Sequence, residues 1–209
     1  IEGLTVDGKT IHTSETLMDD EEFPESLTII GDGYIGLEFA SIYRQFGSDV
    51  TVISKHNRED FLKLFDNEIA EVVLTALESM GVHFEFNANT LSVENLNEEV
   101  TLTYNQQSEI KKINSNKILV AVGRRPNIDS LNLEVANIAL NENGSIQINK
   151  HLETTVKDVF ALGDVNGGPQ HTYLSLDDYR IVMSELFEDG TYNLSNRKEV
   201  PDSIFINPP

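Results

Sequence analysis

The chain has 209 residues, 39% of them hydrophobic, enough for a packed core in one large domain or two small ones. Its formal charge of −20 argues against nucleic acid and anionic membrane as partners, so any anion site must be a local basic or helix-terminal feature on an acidic body. There is no cysteine, and the five histidines (His12, His56, His83, His151, His171) show no pair at ligand spacing, which excludes a thiolate centre within the chain and makes a metal site an unexpected outcome.

Residues 1–25 are polar and irregular, with Asp19-Asp20-Glu21-Glu22 ahead of Phe23-Pro24, and read as a surface connection. The N-terminal residues lack the basic start and apolar stretch of a signal peptide, and no run approaches the roughly 18 apolar residues of a membrane span. A soluble, cytoplasmic protein is expected. Ser26–Ile30 is a short β-rich run that stops at glycine, as a buried parallel strand would. A helix follows over 36–46, with apolar Leu37, Ala40, Ile42, Tyr43 and Phe46, closed by Gly47. Asp49–Ile53 is the next strand, which completes a βαβ unit.

A second helix is predicted over 66–80, with Asp66 as N-cap, Ile69, Val73, Leu77 and Met80 as its buried stripe, and Gly81 as its C-terminal glycine. From 82 to 122 the pattern changes to short strands at 82–86, 90–94, 100–104, 109–113 and 117–122. These read as a β-meander inserted before the last strand of the parallel sheet. After Pro126 the character shifts again: Asn143-Gly144 suits a hairpin turn between two short strands, 158–162 reads as a buried strand entering Gly163-Asp164, and 174–187 as a helix. The fold class is therefore α/β, a Rossmann-like parallel sheet with an inserted meander, followed by a second segment of different character.

Gly31-Asp32-Gly33-Tyr34-Ile35-Gly36 is a G-x-G-x-x-G that leaves a strand, opens a helix and is followed by a second strand. In a dinucleotide site Gly31 permits the tight turn, Gly33 lets a pyrophosphate approach the backbone, and Gly36 lets helix and strand pack closely. The helix N-terminus, from Tyr34 and Ile35 onward, offers free N–H groups and partial positive charge to phosphate. The alternative is a purely structural glycine turn in an ordinary α/β domain.

An NAD site usually places Asp or Glu at the end of the second strand to bind the adenosine ribose. Here that end reads Ser54-Lys55-His56-Asn57-Arg58, with no carboxylate until Glu59 and Asp60. Lys55, His56 and Arg58, with Ser54 as a hydroxyl donor, suit a 2′-phosphate, so NADPH is favoured over NADH; the alternative is an exposed polar loop.

These motifs resemble the class I pyridine nucleotide-disulfide oxidoreductases, the family of glutathione reductase, dihydrolipoamide dehydrogenase and mercuric reductase. The resemblance runs through 30–40, Val120-Ala121-Val122-Gly123-Arg124-Arg125-Pro126-Asn127, Val159-Phe160-Ala161-Leu162-Gly163-Asp164-Val165 and 200–209. The stretches 163–182 and 200–209 are most similar to the bacterial reactive-chlorine-resistance flavoproteins, which are hypothiocyanous acid reductases. In such a subunit, about twice this length, the resemblance places residues 1–13 at the tail of a first FAD segment and its linker, 14–125 in the NAD(P)-binding domain, 126–198 in the second segment of a split FAD-binding domain, and 199–209 at the start of a dimerising interface domain.

The resemblance also implies site residues. Tyr34 matches the gating aromatic between nicotinamide and flavin, and Glu38 the acid that binds the nicotinamide carboxamide and pairs with a lysine outside this chain. Gly123 matches the strand-end glycine beside the NAD(P) cofactor, with Arg124 and Arg125 either near phosphate or ordinary surface arginines. Gly163 and Asp164 match the turn that binds the FAD ribityl chain, and Gln170, His171 and Thr172 the segment facing the flavin pyrimidine. Ser175 and Asp178 read as a capping box.

The implied activity of the intact homodimer is hydride transfer from NAD(P)H through FAD to a cysteine disulfide and then to a small-molecule oxidant such as hypothiocyanous acid. No catalytic residue is expected in the present chain, which should be inactive alone. A disulfide or mercuric reductase, a dihydrolipoamide dehydrogenase, or a nucleotide-binding module without redox activity remain as alternatives.

Overall fold

The computed structural model describes residues 1–63, 65–96, 99–198 and 200–207. They form two compact units, one of residues 1–123 and 203–209 and the other of residues 124–202.

The first unit is built on a five-stranded parallel sheet. Its elements in chain order are β1 (Ile11–His12), α1 (Ser14–Met18), β2 (Ser26–Ile30), α2 (Tyr34–Gln45), β3 (Asp49–Ile53), α3 (Asn67–Ser79), β4 (His83–Glu85), β5 (Ala88–Leu96), β6 (Glu99–Gln106), β7 (Glu109–Ser115) and β8 (Lys117–Val120). The parallel sheet has the order β1-β8-β2-β3-β4, and β5-β6-β7 form a separate antiparallel sheet. Alternation along the central strands divides the core. Leu27, Ile29, Val50, Val52 and Leu119 pack with Leu37 and Ala40 of α2 and with Val73, Leu74 and Leu77 of α3. Ile30, Ile53 and Ile118 face the other way, onto Val93, Val100, Leu102 and Tyr104 of the antiparallel sheet. Because both faces are covered, the central strands carry buried apolar residues on both faces, as Ile29 and Ile30, Val52 and Ile53, and Ile118 and Leu119 do.

The structure departs from the sequence reading in several places. His83–Glu85 pairs parallel to β3 and so belongs to the main sheet, leaving three strands for the meander. The stripe of α3 is Ala70, Val73, Leu74 and Leu77, whereas Ile69 is 48% exposed. On α2, Gly36, Leu37, Ala40 and Ser41 are buried while Ile42 and Phe46 are exposed. In both helices several apolar residues flank the core face, and spacing alone does not say which of two adjacent stripes points inward. Asp66 is the N-cap of α3 by position but makes no side-chain capping bond.

Residues 1–25 are not merely a surface connection. Thr13 and Thr16 form a capping box for α1, which buries Leu17, and Ile11 and His12 pair with Ile118 and Leu119. His12 Nε2 lies 3.2 Å from Asp20, which also accepts from the Lys117 ammonium at the start of β8. This polar cluster is closed by Lys117 donating to the Glu22 carbonyl at 2.7 Å.

The second unit has less regular structure. Its helix α4 (Thr172–Phe187) buries Leu174, Asp178, Ile181 and Ser184. A small core joins Ile128, Ile146 and Ala161. The turn at Asn143-Gly144 forms, with Asn141 N–H donating to the Ser145 carbonyl and Gly144 at φ +81°, but in place of two short strands it joins an isolated bridge between Leu140 and Ile146. The expected strand over 158–162 does not form. Asp158 has φ +62°, Val159 is 37% exposed, and the pairing is an isolated bridge between Glu153 and Phe160. A strand needs a neighbouring ladder, and none adjoins this segment among the described residues.

Ser175 lies inside α4, whose N-cap is His171, so the expected Ser175–Asp178 capping box is absent. Asp178 turns instead toward the Gly163 N–H at 2.8 Å and the Asn166 amide at 2.9 Å. Arg197 closes this cluster, donating to Asp178 at 2.5 Å and to Asp177 at 2.8 Å.

Residues 203–207 belong to the first unit. Phe205 N–H donates to Glu38 at 2.9 Å and Asn207 N–H to the Ser41 hydroxyl at 3.0 Å, with no strand pairing over 200–207. Pro208 and Pro209 lie outside the described residues.

The loop before β1 supplies a pH-dependent tie. Burial alone would raise the Asp7 carboxyl, but the N–H groups of Ile11, Lys9 and Thr10 and the Thr10 hydroxyl outweigh it and hold it at about 2, below the ordinary 3.8. A depressed folded-state value contributes stability above the unfolded value and loses it as pH falls through the folded one. Wild type is therefore expected to melt higher than Asp7→Asn at pH 7, and the difference should shrink as pH falls from about 4 towards 2. A difference that stays constant down to the acid limit would contradict this.

Candidate nucleotide-binding site

The strand order defines where a ligand can enter. From β2 the chain moves outward to β3 and β4, then crosses back to β8 on the other side of β2. Ligands of open α/β sheets lie at the carboxyl ends of the strands where the direction of winding reverses. At that position is a cleft of about 590 Å³. The loop after β2 contributes Gly31, Asp32, Gly33 and Tyr34, the loop after β3 contributes Lys55 and His56, and the loop after β8 contributes Gly123. The connection from β3 to α3 supplies Lys63 and Phe65, and the Tyr34 and Phe65 rings lie 5.4 Å apart.

The three glycines of the fingerprint meet different surroundings. A Cβ on Gly31, at φ +113°, would lie 2.4 Å from the Ala121 carbonyl oxygen, and a Cβ on Gly36 would lie 2.2 Å from the Gly31 carbonyl oxygen. Gly31 and Gly36 thus let β8, β2 and α2 close on one another. A Cβ on Gly33 would meet nothing within 4 Å, and Gly33 has φ −82°. Among the glycines, Gly33 alone has neither a positive φ nor a neighbour within that distance. As N-cap of α2 it makes no side-chain capping bond, and the helix it opens begins at Tyr34, which lines the cleft.

At the end of β3 the basic cluster is less available than its sequence suggests. Arg58 makes two hydrogen bonds to Glu78, at 2.6 and 2.7 Å, which hold the Glu78 carboxyl below its ordinary range. His56 Nδ1 lies 3.1 Å from both oxygens of Asp32, and the buried Ser54 hydroxyl donates to Asp32 at 2.6 Å. The strand end expected to lack a carboxylate therefore has one, delivered from inside the glycine loop. Lys55 and Lys63 line the cleft without an ion-pair partner among the described residues. Lys63 lies ten residues beyond the end of β3, where no motif spacing marks it in the sequence.

Other expected residues fall elsewhere. Ile35, Gly36, Glu38, Ser54 and Arg58 do not line the cleft. Glu38 accepts from the Phe205 N–H. In the second unit, Gly163 takes φ +73° and the Asp164 carboxylate lies 3.2 Å from Arg124. Arg124 also donates to the Gln170 side chain and carbonyl. His171, N-cap of α4, lies 3.2 Å from Asp202 and stacks on Tyr173, and Thr172 opens the helix, which has no side-chain cap bond. Arg125 lies near Asp129 on the surface. Among the described residues no cluster suits a metal ion and no helix is long and apolar enough to cross a membrane.

A parallel sheet with a glycine-rich turn at its switch point, opening a helix onto a cleft, is the dinucleotide-binding arrangement. The sequence profile of the pyridine nucleotide-disulphide oxidoreductases matches residues 1–178, and the chain belongs to that family of enzymes. It is 41% identical over 199 residues to the probable pyridine nucleotide-disulfide oxidoreductase RclA of Escherichia coli, a match covering 95% of this chain and 44% of that protein. It is 36% identical to a mercuric reductase of Lysinibacillus sphaericus over 94% of this chain and 35% of that protein. A solved Cu(II) complex of the HOCl-induced flavoprotein disulfide reductase RclA from Escherichia coli superposes with a TM-score of 0.90 at 40% identity, covering all of this chain and 46% of that one. The chain thus spans less than half the length of these relatives.

The fingerprint glycines yield a stability test. Because a Cβ on Gly36 has backbone for its nearest neighbour, Gly36→Ala is expected to destabilise the protein by about 1–3 kcal/mol. It should unfold at lower urea concentration than wild type, and an unchanged midpoint would show that α2 and the turn can separate freely.

Proposed function

We propose that the cleft binds a reduced pyridine dinucleotide as the nucleotide-entry site of a flavin-dependent oxidoreductase. Gly33 carries this reading: its own packing and backbone conformation do not require glycine, whereas close approach of a pyrophosphate does. The N–H groups opening α2 would face that pyrophosphate, and Tyr34 at the cleft wall would lie over the nicotinamide end. Glu38 would serve the carboxamide only by leaving its present partner, the Phe205 N–H.

Gly163, Asp164, Gln170, His171 and Thr172 are proposed to hold part of an FAD, and residues 14–125 and 126–198 to correspond to the NAD(P) domain and resumed FAD domain of a longer subunit. Gly163 at φ +73° and the uncapped start of α4 suit a backbone that approaches a ligand closely. When bound, the flavin would accept hydride equivalents from the nicotinamide and pass them to a disulfide, ultimately reducing a small oxidant, with hypothiocyanous acid as the proposed substrate. The chain itself, which has no cysteine, would bind nucleotide without turning it over.

NADPH is proposed over NADH on Lys55, which the sequence also puts forward, and on Lys63, which it does not. Lys55 and Lys63 support it, since both line the cleft unpaired, while Arg58 is engaged by Glu78 and His56 by Asp32.

Titration calorimetry of this chain tests the reading. Gly33→Ala should keep the wild-type melting temperature yet weaken NADPH at least about tenfold, because the methyl group occupies the phosphate approach. Equal affinity in wild type and Gly33→Ala would sink the site assignment. Replacing both Lys55 and Lys63 by Ala should cost NADPH about ten- to a hundredfold and NADH much less, with the difference fading at high salt. Equal losses for both nucleotides would remove the proposed preference.

A further inference from the structure

We infer that Asp32 is a specificity-determining residue of the cleft, whose carboxylate opposes a 2′-phosphate on the bound dinucleotide. The inference rests on the nucleotide reading above and extends it to a residue that neither the glycine fingerprint nor the basic run at 55–58 singles out.

Asp32 occupies the first variable position of the fingerprint, between Gly31 and Gly33. Its side chain reaches across to the end of β3, where Ser54 Oγ donates to it at 2.6 Å and His56 Nδ1 lies 3.1 Å from both oxygens. The residue is only 8% exposed and lines the cleft, and Ser54 is fully buried. In this topology the adenosine ribose lies at the end of the strand that follows the glycine helix, and an acid there marks its 2′-hydroxyl. The strand end here carries no acid of its own. Asp32 brings one to the same place from 22 positions earlier in the chain.

Two consequences follow for a 2′-phosphate. A carboxylate with little solvent around it repels the phosphate at short range more strongly than an exposed one would. The same carboxylate engages His56 Nδ1, so that nitrogen is directed to Asp32 and is withheld from the phosphate. A 2′-hydroxyl meets neither cost and can donate to the carboxylate. Asp32 therefore works against Lys55 and Lys63, and the nucleotide preference of the cleft is the balance between them.

The test is calorimetric titration of the whole chain and its Asp32→Asn variant with NADPH, NADH, 2′,5′-ADP and 5′-AMP at fixed low salt. Asparagine keeps the size and an acceptor for Ser54 while removing the charge. The ratio of NADPH to NADH affinity should rise about tenfold in the variant, and the ratio of 2′,5′-ADP to 5′-AMP should rise with it. Asp32→Ser, a smaller uncharged residue, should move both ratios in the same direction, and melting temperatures of all three proteins establish that folded material is compared. Ratios that stay within about twofold of wild type, or that fall, in folded variants would overturn the role of Asp32 while leaving the nucleotide site standing. A folded wild type that binds none of the four ligands would overturn the site itself, and this inference with it.

Discussion

The first turn of α2 packs so closely on the turn after β2 that a methyl group on Gly36 would sit 2.2 Å from the Gly31 carbonyl oxygen, and Gly31 in turn leaves no room for a side chain beside the Ala121 carbonyl at the end of β8. This backbone-on-backbone contact brings two strand ends, those of β2 and β8, and one helix N-terminus together. The cleft exists because they converge there, and the orientation of the helix decides which N–H groups face it. Leu37 and Ala40 then anchor the helix over Leu27, Ile29, Val50 and Val52, so the position of the loop is held by the whole helix-side core.

Charge is distributed around that cleft in a way the overall value of −20 conceals. Lys55 and Lys63 lie on its wall, while Arg58 is drawn out of it by Glu78 on the exposed side of α3. Asp32 sits among the basic residues and is shielded by Ser54 and His56. On the proposed reading, such a cleft would hold a polyanion through backbone N–H groups first, with its side chains adjusting which nucleotide is preferred.

The parts of the fold that were legible in the sequence share a physical cause. Runs such as Ser26–Ile30 and Asp49–Ile53 end in adjacent buried apolar residues because both faces of the sheet are covered, and Gly31, Gly47 and Gly81 stand where positive φ ends an element. What escaped depends on contacts distant in sequence. Residues 11–18 are too short for periodicity to register, and their burial comes from β8, about a hundred residues on. Spacing alone puts Ile69 on the buried stripe of α3 and leaves Ala70 off it, whereas packing does the reverse, since a helix with apolar residues on adjoining faces shows its inward side only when packed. Segment 158–162 has the composition of a strand without a neighbouring ladder. The glycine loop was readable from spacing, but the pairings Asp32–His56 and Arg58–Glu78 were not, because no local pattern records which acid a basic side chain will meet.

The proposed site requires the Gly31–Gly36 turn to be a ligand-binding backbone and not only a packing device. Amide-resolved NMR of the isotopically labelled chain during NADPH titration tests it most directly. Saturable shifts should concentrate on the amides of Gly33, Tyr34, Ile35 and Gly36 and on Lys55, with the antiparallel strands 99–106 and 109–115 unmoved. Saturation without any movement of the Gly33–Gly36 amides, or no saturable change at millimolar nucleotide, would contradict it.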